Sequence, residues 1–243
     1  MIRFENVDKS YGKAKIKAVD GLNMEIGAGK VFGFIGPNGA GKTTAIKLLT
    51  GILQPDVGSI WLNGISMAEN PLKAKRVFGY VPDSFEMFER MTGMEYVRFL
   101  ADLYGVEKAQ LERRLEEYLN LFSLEEPIYQ QIHSYSHGMK QKLAVIGSLL
   151  HKPIIWILDE PMTGLDPRSM HALKEEMKKH SREGGTVFFS THVLDVAERL
   201  CDEIGIIRQG QLIAKGTLDE LRGDDRVTTL EKLFLDLTEE MEG

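Results

Sequence analysis

The sequence predicts an α/β fold, with an antiparallel β edge near its start and a helical subdomain inserted into the core. Three observations support this fold class. Strand-like and helix-like segments alternate over much of the chain, which is typical of a largely buried sheet. Short alternating segments near the start are separated by glycine-containing turns, as in antiparallel sheets. A long central stretch shows only helical spacing of its apolar residues.

The chain opens with strand-like segments. Alternating apolar residues predict short strands at residues 2–7, 22–26 and 59–62, and the turns between them favour an antiparallel edge. The apolar run Val31–Ile35 predicts a buried strand, and the apolar stretch at residues 45–49 predicts a helix after it.

Residues 92–150 carry apolar side chains at helical spacing and no convincing strand. These side chains are Tyr96, Phe99, Leu100, Leu103, Leu111, Leu115, Leu119 and Phe122. We therefore expect an inserted helical subdomain. After it the pattern predicts a strand at 154–158, a helix at 168–180, a strand at 186–190, a helix at Leu194–Leu200 and a two-stranded ending around 209–211.

Composition argues against several classes of protein. With 243 residues, 43% of them hydrophobic and 27% charged, the chain can bury one large core or at most two small ones. A net charge of -6 with scattered Lys and Arg argues against a nucleic-acid partner, which would require a clustered basic surface. No apolar run approaches the roughly 20 residues of a membrane span, and the opening residues lack a signal-peptide stretch. We expect the chain to stay in the cytoplasm.

A glycine-rich motif follows the predicted strand Val31–Ile35. It reads Gly36-Pro37-Asn38-Gly39-Ala40-Gly41-Lys42-Thr43, and Thr44 follows. A strand, a glycine loop and a helix in this order form a P-loop, in which backbone N–H groups bind phosphates. We predict that residues 36–44 bind a nucleotide, that Lys42 contacts its β- and γ-phosphates and that the Thr43 hydroxyl binds Mg²⁺. A glycine turn that matches by chance is the weaker alternative. The motif therefore predicts a P-loop NTPase core.

Two acids end the predicted strand at residues 154–158. Burial of the apolar residues places Asp159 and Glu160 at the carboxyl end of the strand, where α/β sheets bind ligands. We predict that Asp159 holds Mg²⁺ opposite Thr43 and that Glu160 is the general base for the attacking water. A helix-capping Asp-Glu pair is the alternative, and the P-loop upstream makes it less favourable.

Three further segments resemble those of ABC (ATP-binding cassette) ATPases. Ser136-His137-Gly138-Met139-Lys140-Gln141 is similar to the family's signature segment. Thr163-Gly164-Leu165-Asp166 is similar to its D-loop, and Ser190-Thr191-His192 to its switch histidine. Order and placement match over the whole chain. The resemblance implies a single ABC ATPase domain at residues 1–243, with a catalytic core of about 1–83 and 152–243 and a helical subdomain of about 84–151.

The resemblance also implies sites shared between two chains. Two cassettes pair head to tail in this family, so Ser136 and Gly138 would bind the partner's nucleotide. A helix N-terminus with a hydroxyl suits that role, although Ser136 as a plain helix cap is the alternative. Tyr11 matches the aromatic residue that stacks on adenine, against the alternative of an ordinary loop tyrosine. His192 matches the catalytic histidine that contacts the γ-phosphate, against the alternative of a core histidine.

The sequence departs from the family pattern at three positions. His137 stands where the signature has glycine, Met139 where it has glutamine, and Asp83 where a glutamine senses the metal and the water. We expect Asp83 to act in catalysis and to ligate the metal, at the cost of added negative charge beside the nucleotide. With these variants the chain resembles the ATPase subunits of small two-component bacterial exporters.

A segment rich in large apolar residues, residues 83–91, follows Pro82. In the family this region forms the groove that receives a short helix of the membrane subunit, a helix-in-groove mode. Phe85, Phe88 and Met91 are the candidates for this contact. Packing of the same three side chains into the core is an equal alternative.

The motifs together predict the ATP-binding and ATP-hydrolysing subunit of an ABC transporter that powers export. Its cofactors would be ATP and Mg²⁺. Its partners would be a second copy or a similar cassette, and a separate transmembrane permease that holds it on the inner face of the cell membrane. The alternative is an ABC ATPase acting on ribosomes or DNA, which would usually show two cassettes, a basic linker or a long coiled coil. A nucleotide-binding regulator without turnover would lack Glu160.

Overall fold

The protein, studied as a computed structural model, is described over residues 1–12, 16–84, 88–223 and 228–239. Within these ranges the strands are β1 (Ile2–Tyr11), β2 (Ile16–Ile26), β3 (Val31–Ile35), β4 (Val57–Leu62), β5 (Ile65–Ser66), β6 (Phe78–Val81), β7 (Ile155–Asp159), β8 (Thr186–Thr191), β9 (Glu203–Arg208) and β10 (Gln211–Gly216). The helices are α1 (Lys42–Leu49), α2 (Pro71–Arg76), α3 (Gly93–Tyr104), α4 (Lys108–Phe122), α5 (His137–Leu149), α6 (Pro167–Arg182), α7 (Leu194–Leu200), α8 (Leu218–Arg222) and α9 (Leu230–Glu239).

The strands near the start form an antiparallel sheet in the order β2-β1-β4-β5. Ile2 pairs with Ile26 on one side of β1 and with Leu62 on the other. These three residues are fully buried, because one face of the sheet covers the core while the other meets solvent. The predicted antiparallel edge is confirmed.

A second sheet has the order β10-β9-β3-β8-β7-β6 among the described residues. Strands β9, β3, β8, β7 and β6 run parallel, and only β10 is antiparallel to its neighbour. Ile35 pairs with Thr191, and Asp159 pairs with Ser190. Because parallel strands end at one edge, the residues after β3, β6, β7 and β8 meet there. This register builds the site.

Alternate residues of the central strands enter two cores on opposite faces of this sheet. Phe32, Ile157 and Phe188 pack with the antiparallel sheet and α1. Trp156 and Phe189 pack on the other face with α3, α4, α5 and α6. The alternation follows from the period of two along a strand, and each such side chain contributes ~1.5–3 kcal/mol by leaving water. The parallel strands are therefore buried on both faces.

The predicted helical stretch is present, but the exposed residues of α3 were not foreseen. The helix buries Val97 and Ala101, whereas Phe99 and Leu103 are 42% and 63% exposed. Apolar residues cover most of α3 outside the exposed face of Glu95, Arg98 and Asp102, so spacing alone did not reveal which of them pack against α5. On α4 the predicted positions are buried: Leu111, Leu115, Leu119 and Phe122.

Several boundaries differ slightly from the sequence patterns. Strand β7 begins at Ile155 and includes Asp159, and β8 extends to Thr191. The short elements α2, β5 and β6 were not predicted because they span too few residues to show a period. No helix in the described ranges is long and apolar enough to cross a bilayer.

Candidate nucleotide-binding and catalytic site

The loop between β3 and α1 has a shape that only glycine permits at two points. A Cβ atom at Gly36 would lie 2.3 Å from the carbonyl oxygen of Ile207, and one at Gly41 would lie 2.2 Å from that of Ala18. Gly41 also has a φ of 109°, in the region that other residues avoid. The loop leads into the N-terminus of α1, where free N–H groups and the helix dipole favour anions.

This loop borders a cavity of about 250 Å³. Residues 37–44 line it, together with Ala18, Asp83 and Glu160. Asp83 and Glu160 follow β6 and β7, which are parallel neighbours. Both acids therefore lie at the same sheet edge as the glycine loop. Most of the residues predicted to bind the nucleotide phosphates therefore share one cavity with two acids.

Lys42 is buried at the base of this cavity, with 7% of its surface exposed. Its Nζ donates hydrogen bonds to the carbonyl oxygens of Gly36 at 2.7 Å and Pro37 at 3.2 Å. Burial lowers the pKa of the Lys42 amine, although the charges of Glu160 and Asp159 act in the opposite direction. A desolvated ammonium held mainly by neutral carbonyls is poorly compensated, so a phosphate anion would stabilise it.

Asp159 presents one buried oxygen that lacks a partner. The Ser190 hydroxyl donates to Oδ1 at 2.5 Å, whereas Oδ2 accepts no hydrogen bond of ordinary geometry in the described part of the chain. Burial raises the pKa of the Asp159 carboxyl; the hydroxyls of Ser190 and Thr43 counteract this, and the charges of Asp83 and Glu160 add to it. A cation beside Oδ2 would offset all three unfavourable contributions.

These donors fit a magnesium ion that is bound together with phosphates. Across the described ranges, no group of three or more His, Cys, Asp or Glu side chains could hold a metal alone. Mg²⁺ usually keeps several waters and takes only one or two protein ligands beside substrate phosphates. The orphaned Oδ2 of Asp159 and the nearby Thr43 hydroxyl are the donors that such an ion requires.

Glu160 adopts an unusual backbone conformation at the mouth of the cavity. Its φ is 47°, a left-handed value that few non-glycine residues adopt, and its N–H donates to Ser190 Oγ at 3.0 Å. Its Oε2 lies 3.0 Å from His192 Nδ1, and its Oε1 lies 3.9 Å from Lys42 Nζ. The carboxylate is therefore fixed between a histidine and a lysine, where it can accept a proton from water.

His192 and Asp83 reach the same edge of the sheet from different strands. His192 follows β8, and 57% of its side chain is exposed, so the alternative of a core histidine does not apply. Asp83 is exposed just beyond β6, and its charge adds to the rise in pKa of Asp159 and of Tyr80. The fold gathers both predicted residues at the site.

Besides Gly36 of the glycine loop, three predicted nucleotide contacts lie outside the cavity. Tyr11 ends β1 and is 44% exposed, and Ser136 and Gly138 lie at the start of α5; none of them lines the cavity. The Ser136 hydroxyl accepts the N–H of Met139 at 3.3 Å and so caps α5. Because Ser136 is also exposed, its cap role is compatible with binding a partner's nucleotide. These three roles stay predictions.

Sequence reasoning missed two contributors. Ser190 was noted only as part of a motif, yet its hydroxyl holds both acids, Asp159 and Glu160. The sequence carries no local signal for this role, because the role depends on the pairing of β7 with β8 at Asp159 and Ser190. Ala18 lines the cavity from β2, and nothing in the sequence marks it.

Comparison with known proteins assigns the family. Residues 19–163, more than half of the chain, match the family profile described as ABC transporter. The chain belongs to the ABC transporter family. It is an ATP-binding ATPase subunit of that family, with the P-loop fold predicted above.

Curated relatives cover almost the whole chain. The linearmycin resistance ATP-binding protein LnrL of Bacillus subtilis (strain 168) is 37% identical over 221 residues, covering 91% of this chain and 70% of the relative. The transporter ATP-binding protein EcsA of the same strain is 37% identical over 238 residues, covering 97% and 96%. The Nod factor export ATP-binding protein I of Ralstonia nicotianae (strain ATCC BAA-1114 / GMI1000) is 34% identical, covering 91% and 68%.

Solved structures share the fold. The structure of an ATP-binding subunit of an ABC transporter superposes with a TM-score of 0.93 at 36% identity, covering 98% of this chain and 99% of the other. The dimeric structure of a bacterial ABC transporter cassette has a TM-score of 0.82 at 26% identity, covering 90% and 99%.

Proposed function

We propose that this ATPase powers export through a separate transmembrane permease, working as a head-to-tail pair with a second copy or a similar cassette. One observation carries the proposal. Glu160 is held by Ser190 and His192 at the mouth of the P-loop cavity, 3.9 Å from the buried Lys42 amine. A base fixed beside a phosphate site is what hydrolysis by water requires. Two of the relatives are named for resistance or export.

The glycine loop, Lys42, Glu160 and their neighbours have distinct parts in this reaction. The backbone N–H groups of residues 36–44 bind the phosphates, and Lys42 neutralises the charge that grows on the γ-phosphate. Glu160 accepts the proton of the attacking water. His192 orients Glu160 through the 3.0 Å contact and contacts the γ-phosphate. Thr43 and Asp159 would hold Mg²⁺, which would neutralise phosphate charge when bound.

Asp83 gives this site an extra carboxylate. It lines the cavity, and its charge acts on Asp159. We infer that Asp83 replaces a neutral amide as ligand of the metal or of its water, which strengthens metal binding and adds repulsion toward the phosphates. The rate of this ATPase would therefore depend on Mg²⁺ concentration through Asp83.

The exposed start of α5 supports the proposed pairing. Ser136 is exposed and Gly138 is half-buried at this helix start, and neither lines the chain's own P-loop cavity. A second chain would bring its ATP to this helix end, as the dimeric cassette structure suggests. Tyr11, exposed at the end of β1, would stack on the adenine.

An exposed aromatic pair supports the proposed permease contact. Phe88 is 58% exposed and packs edge to face on Phe99 with ring centroids 5.7 Å apart. A separate cleft of about 320 Å³ is lined by residues that include Ile52 after α1 and Tyr96 and Tyr104 on α3. A short amphipathic helix would bury these groups, holding the ATPase on the inner face of the membrane.

The three candidates of the segment 83–91 have different positions. Met91 packs against the core, so its side chain is not the candidate for the permease contact. Phe88 remains exposed and stays the candidate for the permease contact. Phe85 lies outside the described residues.

The pairing and the chemistry are tested together by blocking hydrolysis. Replacement of Glu160 by Gln removes the base but keeps the size of the side chain, so ATP stays bound and the closed pair accumulates. We expect Glu160→Gln to elute as a dimer with ATP and as a monomer without it. The measurement is size-exclusion chromatography with light scattering, and wild-type turnover by Glu160→Gln would contradict the assigned base.

A second variant tests the shared site. Ser136→Arg places a bulky side chain where the partner's γ-phosphate would lie, so it should abolish the ATP-dependent dimer of Glu160→Gln. Ser134→Arg, two residues earlier and also exposed, is the matched control and should still dimerise. Dimerisation of the Ser136→Arg, Glu160→Gln protein as readily as Glu160→Gln alone would refute the head-to-tail arrangement.

A further inference from the structure

The histidine that replaces a glycine in the signature segment lies against the D-loop of the same chain. A Cβ atom at Gly164 would lie 2.4 Å from Cδ2 and 3.2 Å from Nε2 of His137. The imidazole therefore fills the space in front of Gly164. A Cβ atom at Gly138 would lie 2.5 Å from the carbonyl oxygen of Gly164. The backbone of Gly138 and the ring of His137 therefore both contact the D-loop at Gly164.

Two polar contacts join the same two segments. Gln141 Nε2 donates to the carbonyl oxygen of Pro161 at 3.0 Å, and this contact is buried. Lys142 Nζ lies 2.8 Å from Asp166 Oδ2, and the hydrogen bond from Lys142 holds the pKa of the Asp166 carboxyl well below its usual range. Positions 138, 141 and 142 share one face of α5. That face therefore meets the segment 161–166 at Pro161, Gly164 and Asp166.

The ring of His137 is not needed to cap α5. The Ser136 hydroxyl already caps the helix through the N–H of Met139. A glycine at position 137 would leave the cap intact and open the space before Gly164. The ring itself lies against the D-loop at Gly164.

We propose that His137 is a positioning residue for ATP hydrolysis, whose imidazole wedges against Gly164 and holds the D-loop to the signature helix. This inference rests on the proposed head-to-tail pair, in which the start of α5 contacts the partner's ATP. The segment 161–166 directly follows Glu160. The wedge would thus tie the helix end that contacts one nucleotide to the loop that carries the base for the other. It also requires residue 164 to be glycine.

A double-mutant cycle tests the wedge. The proteins are wild type, Gly164→Ala, His137→Gly and the double variant, with melting temperature, kcat and KM for ATP as readouts. An added methyl group at 164 displaces the ring only when His137 is present. Gly164 has a φ of 75°, so backbone strain adds to the effect of Gly164→Ala. Gly64→Ala is the matched control, because Gly64 has a φ of 76° and open space around it.

We expect Gly164→Ala to lower kcat about tenfold with KM changed less than about twofold, and to lower the melting temperature more than Gly64→Ala does. In the His137→Gly background, Gly164→Ala should have no effect on kcat and should lower the melting temperature only as much as Gly64→Ala. His137→Gly alone should lower kcat about threefold at unchanged KM.

Equal effects of Gly164→Ala with and without His137 would overturn the inference. If the two substitutions were non-additive in melting temperature but additive in kcat, His137 and Gly164 would form a packing contact only. That result would also overturn the inference. Absence of ATP turnover in the wild-type protein would refute the proposed function, and the melting cycle would still measure the wedge by itself.

Discussion

The two ends of the catalytic machinery are built differently. At the P-loop end, Lys42 and Asp159 are 7% and 1% exposed, and each is fixed by contacts within one chain. At the signature end, Ser136 and His137 are exposed at a helix start. The first end is assembled by folding, because parallel strands stop at one edge. The second lies exposed to solvent, and under the proposed pairing a second chain completes it.

The difference predicts where substitutions act. Changes at the buried end should impair chemistry in every assay, because they disrupt preorganised charge. Changes on exposed surfaces should leave the single chain intact and should affect only assembly. The predictions below test this division, beginning with the largest effect.

Lys42→Ala should reduce ATP hydrolysis by at least about a hundredfold, because the buried ammonium that would neutralise the γ-phosphate is lost. Steady-state phosphate release measures this. Lys47→Ala, on the same helix but outside the cavity, is the control and should hydrolyse ATP normally. Wild-type turnover by Lys42→Ala would remove the P-loop assignment.

Ser190→Ala should lower kcat by about 10- to 100-fold, since one hydroxyl donates to Asp159 and accepts from Glu160. Ser190→Thr should restore much of the activity because it keeps the hydroxyl. Ser148→Ala removes another buried hydroxyl, which accepts from Trp156, and should cost stability without lowering kcat. Equal kcat values for Ser190→Ala and wild type would contradict the role of Ser190.

Asp83→Asn should raise the Mg²⁺ concentration for half-maximal activity by about threefold, because one negative charge near the metal is lost. Asp83→Gln should keep part of the activity. Asp102→Asn, an exposed acid on α3, serves as the control. If Mg²⁺ titrations of the wild-type, Asp83→Asn and Asp83→Gln proteins coincide, Asp83 neither ligates the metal nor orders its water.

Phe88→Glu should leave the ATPase activity of the isolated chain unchanged, because the side chain projects to solvent. Recovery with membranes from cells that co-express the permease of the same transporter should fall by about tenfold or more. Tyr129→Glu is the matched control, because Tyr129 is 68% exposed and lines a different cleft. Undiminished recovery of a folded Phe88→Glu protein would place the permease contact elsewhere.

Most of the predicted site followed from short-range patterns. The P-loop could be recognised because its glycine spacing and flanking strand lie within one continuous stretch. Asp159 and Glu160 could be recognised because a buried strand ends in two acids. Ser190 could not, because its importance arises only from the pairing of β7 with β8 at Asp159 and Ser190.

The α3 helix shows the same limit in the fold. Its apolar residues predicted a helix correctly, but Phe99 and Leu103 lie on the exposed side. The packed face depends on which neighbour α3 meets, and that neighbour, α5, is distant in sequence. The spacing of apolar residues therefore predicted the helix α3 but not which of its faces packs against the core.

The sequence by itself determined the fold class, the P-loop, the acid pair and the family, because each can be recognised from local patterns and from their order along the chain. Only the tertiary structure decided that His192 contacts Glu160, that Asp159 Oδ2 lacks a hydrogen bond among the described residues, and that His137 lies on Gly164. The residues that meet in these contacts are far apart in sequence, 32 positions for His192 and Glu160. Their geometry is set by strand register and helix packing, which no local pattern encodes.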